Sequence, residues 1–384
     1  MSKDAQTGNV GEWSEVYVFF HILHSRRIAA CDANLKRTGF EYPVLEIIRI
    51  GKGEEEEHFI FDESSFKWHK DEGLNEYCVE IDPALCGAAA RDFLTELSDA
   101  KKNGAGRAFC MPRCEAFLGS LGATKFKADP HRKTDIKLKI TDISAGQTTI
   151  CGFSIKSFLG KDPTLFNASK GDDRYGRDGS SSFVYEVLLD GLNEDKISEL
   201  NKLSAENLVR SIYEQGGHLR YLENTVEGSI FRNNLEFIDG HMPKMMAELA
   251  VFYRRENITN LKKATEAFAE LNMLGFARTS WYSYKMKKML EASAFGMTAG
   301  TPWEGYEDAN GGFIVVKPDG DVVTYHIYNR GALLDYLYQG TRFEHCSQSE
   351  KKYDYGYIYK DEQTQQWRIR LQLQIRYIKP SRKF

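Results

Sequence analysis

Apolar residues recur at helical spacing over residues 11–23, where Trp13, Val16, Tyr17 and Phe20 form one stripe behind a turn at Gly11. Glu12 and Glu15 stand three apart on the flank of that predicted helix. Farther along, VLEIIRI (44–50) and HFIF (58–61) predict a hairpin around GKGEEEE, whose consecutive glutamates mark a solvated loop. Helical spacing returns over 84–100 and 108–119. TDIKLKITDI then alternates polar and apolar residues, SAGQ supplies a turn, and TTICGFSIKS is rich in β-branched and aromatic residues, which together predict a β-hairpin. SFVYEVLL (182–189) predicts another strand, and the polar stretch GDDRYGRDGSSS before it reads as a disordered insertion or a mobile loop.

From 194 to 296 the pattern is mainly helical, with helices expected over 194–214, 240–255, 258–273 and 280–295. GGFIVVKPDGDVVTYHIYN (311–329) predicts two strands joined by a Pro-Asp-Gly turn, 331–338 a short helix, and 353–378 a last hairpin. No internal repeat of 20 to 50 residues is visible. The expected class is α/β (α+β), a mixed sheet flanked by helices with a mainly helical insertion. The expected divisions are 1–190, a mainly helical 191–300 and a β-rich 301–384.

Composition narrows the function classes. With 384 residues, 42% of them apolar and 12% aromatic, the chain has ample material for packed cores and is not a disordered polymer. No apolar run is long enough to span a bilayer, and the polar start MSKDAQTGNVG has no signal-peptide core, so the expected compartment is the cytoplasm with no membrane partner. Fifty-one basic against 55 acidic residues leave a net charge of −4, which excludes bulk-charge binding of nucleic acid but not a locally basic cleft. The seven cysteines are odd in number and lack Cys-x-x-Cys pairs, so they are expected as reduced thiols; Cys110 and Cys114 lack the partner pair that a zinc site needs. His218, His241 and His326 have no nucleophile or His partner in pattern and are expected to be structural.

The chemistry concentrates in the central hairpin. Asp135 opens one strand and Ser154-Ile155-Lys156 lies near the end of the next, with Ser154 and Lys156 on one face and Ile155 on the other. A carboxylate and an amine at one end of a sheet can hold a divalent cation and position water for attack on a phosphodiester. Two basic stretches accompany it. One is Lys125, Lys127, Arg132, Lys133, Lys137 and Lys139, suited to backbone phosphates; the other runs from 366 to 384 with six Lys or Arg and no acid. In the latter, Arg368, Arg370, Gln372, Gln374 and Arg376 alternate with apolar residues, so one face of the strand is expected to be polar and basic.

The wording around these residues resembles the HpaII-type family of type II restriction endonucleases, in the PD-(D/E)xK nuclease class. The resemblance is carried by GNVGEWSEVYVFFHIL (8–23), DIKLKITD (135–142), GFSIKSFLGKDPTLFNAS (152–169), GGFIVVKPDGDVVTYHIYNR (311–330) and LQLQIRY (371–377), blocks that span essentially the whole chain. It implies a restriction-endonuclease-like core, Mg²⁺-dependent cleavage of double-stranded DNA at a short palindrome such as CCGG, and 5′-phosphate and 3′-hydroxyl ends. It also implies a homodimer and a cognate cytosine methyltransferase as functional partner. Thr134-Asp135 takes the place of Pro-Asp, and Ser154-Ile155-Lys156 that of (D/E)-x-K, leaving one acid short. The resemblance nominates Asp135, Ser154, Lys156 and Glu15 as catalytic, and Asp135, Glu15 and the Ile155 carbonyl as metal ligands. Glu12, Asp172, Asp173 and Glu186 are alternative sources of the missing acid. For DNA contact it nominates Asn167, Ser169, Lys170, Arg330, Gln372, Gln374 and Arg376. The alternatives are a cleavage-deficient DNA-binding protein on the same fold and a repair or methylation-dependent nuclease.

Overall fold

The computed structural model describes residues 6–50, 56–62, 66–70, 81–123, 134–142, 146–307 and 309–380. In chain order the elements are α1 (Val10–Ser25), β1 (Arg27–Cys31), β2 (Arg37–Ile50), β3 (Glu56–Phe61), β4 (Phe66–Lys70), α2 (Pro83–Lys102), α3 (Pro112–Ser120), β5 (Ile136–Asp142) and β6 (Gln147–Ser157). There follow β7 (Thr164–Phe166), β8 (Lys170–Asp172), β9 (Gly176–Ser180), β10 (Ser182–Leu188), α4 (Glu194–Leu200), α5 (Ala205–Glu214), β11 (His218–Tyr221), α6 (Ser229–Ile238), α7 (Met242–Arg255), α8 (Leu261–Leu271) and α9 (Ser280–Phe295). The chain ends with β12 (Gly312–Val316), β13 (Val322–His326), α10 (Arg330–Gln339), β14 (Thr341–Phe343), β15 (Ile358–Lys360), β16 (Trp367–Gln372) and β17 (Ile375–Tyr377). They divide into two compact units, one of residues 1–163, 307–336 and 379–384, the other of 164–306 and 337–378.

The first unit is a mixed sheet in the order β1-β13-β12-β6-β5-β2-β3-β4 among the described residues. β2 is long enough to serve twice: its first half pairs with β1 and its second with β5 and β3, so six strands close on themselves. The pairing of β12 with β6 is parallel, and parallel neighbours need a crossover; residues 164–306, which belong to the second unit, lie in this connection. Helix α1 begins at a capping box in which Asn9 accepts from the Glu12 amide and Glu12 accepts from the Asn9 amide, and it ends where Arg26 turns left-handed at φ 55°. Its apolar side chains pack with Leu138, Ile140, Phe153 and Ile155 from β5 and β6 into the core of this unit.

The second unit holds the antiparallel sheet β11-β10-β16-β15, the sheet β14-β17-β7 and most of the helices. Helix α7 is buried nearly all round, and its Ala247 carbonyl accepts a 2.7 Å hydrogen bond from the Tyr185 hydroxyl of β10. Most of residues 171–182, expected as a disordered insertion or a mobile loop, lie in the β8–β9 hairpin, which runs from Lys170 to Ser180. Asp172 Oδ1 accepts from the amides of Arg174 and Tyr175, and Gly171 and Gly176 take the positive φ values that the tight reversal needs. The expected helix over 194–214 is broken between α4 and α5, where Ser204 caps the second helix through the Asn207 amide.

Gly312 opens the strand that lies beside β6, with φ +115°, and a Cβ there would stand 2.0 Å from the Tyr325 carbonyl oxygen. Gly312→Ala is therefore expected to lower the unfolding midpoint, by an equivalent of about 1–3 kcal/mol. A thermal melt matching wild type would contradict this reading of the β12 entry.

Candidate active site

The β5–β6 ladder runs in unbroken register from Ile136 opposite Phe153 to Asp142 opposite Gln147. Asp135 extends it by one residue, its amide donating to the Phe153 carbonyl at 2.9 Å. Its carboxylate then reaches the neighbouring strand, where Oδ2 accepts from the Ile155 amide at 2.5 Å and from the Ser154 hydroxyl at 3.2 Å. Lys156 completes the chain by donating from Nζ to Ser154 Oγ at 2.7 Å. Ser154 is 1% exposed, so this hydroxyl is a buried relay between ammonium and carboxylate. Burial lowers the Lys156 ammonium below the ordinary lysine range, and the carboxylates of Asp135 and Glu15 oppose the shift. Phe313, opposite Ser154 in the parallel β12–β6 register, puts its ring centroid 5.6 Å from Lys156 Nζ.

Helix α1 carries Glu15, the acid nominated first from the sequence. Ser14 Oγ donates to the Val10 carbonyl at 2.6 Å and lies 2.7 Å from Ser157 Oγ at the end of β6, which ties the helix to the catalytic strand next to Glu15 and Lys156. Glu12 is spent on the capping box, where Oε2 accepts from the Asn9 amide at 2.8 Å. Asp172, Asp173 and Glu186 belong to the second unit, Asp172 capping its turn and Glu186 paired with Arg220. Among the acids nominated, Glu15 is the one whose charge acts on Lys156 alongside that of Asp135. Two carboxylates and a hydroxyl are hard oxygen donors. No group of three or more His, Cys, Asp or Glu able to hold a metal occurs among the described residues. A set of one or two carboxylates, completed by substrate phosphate and water, suits Mg²⁺ and not an all-protein cage.

The cationic residues are distributed differently from the sequence expectation. Lys125, Lys127, Arg132 and Lys133 lie outside the described residues. Lys137 pairs with Glu56 at 2.6 Å and Lys139 with Glu46 at 3.8 Å, while His58 stands between the same two glutamates, 2.6 Å from Glu46 and 3.7 Å from Glu56. The C-terminal strand is not an open basic face either. Arg368 pairs with Asp361 at 2.7 Å, Arg370 with Glu227 at 2.7 Å while stacking on Tyr359, and Arg376 lies 3.6 Å from Glu344. Gln372 is 0% exposed, donating to Ser182 Oγ and the Tyr353 carbonyl, and Gln374 is 3% exposed. Ser169 is occupied inside the β8–β9 hairpin, its hydroxyl donating to the Gly179 carbonyl, whereas Asn167, Lys170 and Arg330 are exposed. Sequence reasoning missed Ser14, Ser157, Phe313 and the buried pair Arg49 and Glu57. The signal for the last two was an ionisable residue on the apolar side of each strand.

The HpaII restriction endonuclease model matches residues 9–377. The Type II restriction enzyme HpaII of Haemophilus parainfluenzae is 33% identical over 376 residues, covering 97% of this chain and 99% of that protein. No solved structure gives a significant match. The match runs from the capping residue of α1 through the Asp135, Ser154 and Lys156 hairpin to the last strand, and the chain belongs to the HpaII restriction endonuclease family.

Proposed function

We propose that this member of a restriction endonuclease family hydrolyses double-stranded DNA at a short palindrome, CCGG, with Mg²⁺ as cofactor, and leaves 5′-phosphate and 3′-hydroxyl ends. The observation that carries the reading is the hydrogen-bonded row Lys156, Ser154, Asp135 within the family-wide match. Asp135 and Glu15, with the Ser154 hydroxyl or the Ile155 carbonyl, are the residues that would hold the metal. A bound Mg²⁺ supplies Lewis-acid stabilisation of charge on the nonbridging and leaving oxygens. The Ile155 amide and the Ser154 hydroxyl fix the Asp135 carboxylate in one orientation. Lys156, in the neutral amine form that its burial favours, orients the attacking water and takes its proton as the water oxygen bonds to phosphorus and the P–O3′ bond breaks, the leaving O3′ taking a proton from solvent.

Two protomers related by a two-fold axis would each cut one strand of the palindrome. Asn167, Lys170 and Arg330 are the exposed candidates for contact with bases or backbone. Protection of the host's own sites calls for a cytosine methyltransferase of the same specificity, and both would work in the cytoplasm. Among the described residues, no helix is long and apolar enough to cross a membrane.

Plasmid incubated with the purified protein and Mg²⁺ is expected to give discrete fragments whose sequenced ends all map to CCGG, with chelation stopping the reaction. Fragments ending elsewhere would overturn the specificity, and retarded but uncut plasmid would favour a binding protein. The pairing of Lys137 with Glu56 gives a second expectation. Glu56→Gln leaves one more cation on the strand that follows Asp135, so DNA affinity should rise and the log–log salt slope steepen by about 0.9 for one added phosphate contact. An unchanged slope would remove Lys137 from the DNA-facing surface.

A further inference from the structure

The buried charge beneath α1 has no role in the reaction as described so far. Arg49 of β2 lies directly opposite Glu57 of β3, and the two are 8% and 0% exposed. The guanidinium carbon sits 4.5 Å from the ring centroid of Phe19. Phe19 follows Glu15 by four residues, so both side chains belong to the same face of α1, one turn apart. The electrostatic surroundings of Arg49 contain two carboxylates, Glu57 and Glu15, and those of Lys156 contain Asp135 and Glu15. Glu15 is thus common to the surroundings of both cations, Arg49 and Lys156. Glu57 alone would suffice to neutralise Arg49; the helix face laid over the guanidinium gives Arg49 a second carboxylate to orient.

We infer that Arg49 is a positioning residue for Glu15: anchored by Glu57 and by the Phe19 ring, it holds the α1 carboxylate toward the Asp135–Lys156 end of β6 so that both acids are presented to one divalent cation. This rests on the reading of Glu15 as the second metal acid. Arg49 touches neither substrate nor metal in this role. Its planar fork is what fixes direction, which an ammonium would not do as well.

The test is Mn²⁺ binding, read from loss of the free-ion EPR signal, by the protein bound to a cognate duplex with a non-cleavable scissile linkage. Arg49→Met alone strands Glu57, so the informative variant is the pair Arg49→Met with Glu57→Gln, which removes both buried charges together. The pair variant is expected to melt cooperatively and to bind the duplex without metal as wild type does, while its Mn²⁺ affinity falls about tenfold or more. Arg49→Lys, which keeps the charge and loses the fork, is expected to fall between the two. Wild-type Mn²⁺ affinity in the pair variant, or in Arg49→Lys should the pair fail to fold, would overturn the inference and leave Arg49 as the counter-charge of Glu57 alone. Glu15→Gln separates the two layers: it should weaken Mn²⁺ binding on its own, and if it does not, the assignment of Glu15 fails whatever Arg49 does.

Discussion

The antiparallel register of β5 against β6 is the constraint on which the candidate site depends. Seven residue pairs hold it, from Ile136 opposite Phe153 to Asp142 opposite Gln147, and the side-chain period of two does the rest. Leu138, Ile140 and Phe153 go to the core, while Asp135 reaches across to Ser154 and Ile155. A slip of one residue would turn Ser154 and Lys156 to the opposite face and expose Phe153, so hydrophobic burial specifies the position of the polar residues as firmly as any contact between them. Parallel pairing with β12 then sets Phe313 beside the lysine.

A second constraint is electrostatic. Ionised groups removed from water must be paired or they neutralise, and breaking a buried pair by removing one partner typically costs about 3–5 kcal/mol. The first unit meets this by opposing signs, both in the interior, where Arg49 lies opposite Glu57, and on the sheet face where Glu46, Glu56, His58, Lys137 and Lys139 compensate one another. The second unit does the same with Arg368, Arg370 and Arg376. The small net charge of −4 is thus a local property as well as a total.

What could be read from the sequence follows from what a linear pattern encodes. The central hairpin, the strands around the Pro-Asp-Gly turn and the short helix Arg330–Gln339 are set by period and turn chemistry, and all three are present. The family was legible from wording that spans the chain, and the family model covers nearly all of it. Partnering across the chain was not legible. Nothing adjacent to Arg370 announces Glu227, and nothing near Lys137 announces Glu56, so stretches that look basic in one dimension are neutralised in three. The polar run 171–182 misled for a related reason: Gly and Asx residues that suggest disorder by composition are also the residues that a tight hairpin turn requires. Strand β1 went unseen because a five-residue element without an extended period depends on its tertiary neighbours, whereas helix α6 was missed although Phe231 and Leu235 stand at helical spacing.

The central claim is that Asp135 and Lys156 do chemistry and not merely hold the hairpin together. Comparison of DNA binding and strand cleavage in Asp135→Asn and Lys156→Ala tests it most directly, because both substitutions leave the β5–β6 backbone ladder in place. The account predicts that each variant binds duplex DNA with near wild-type affinity and shows no detectable Mg²⁺-dependent cleavage. Cleavage at wild-type rate by either purified, folded variant would contradict it.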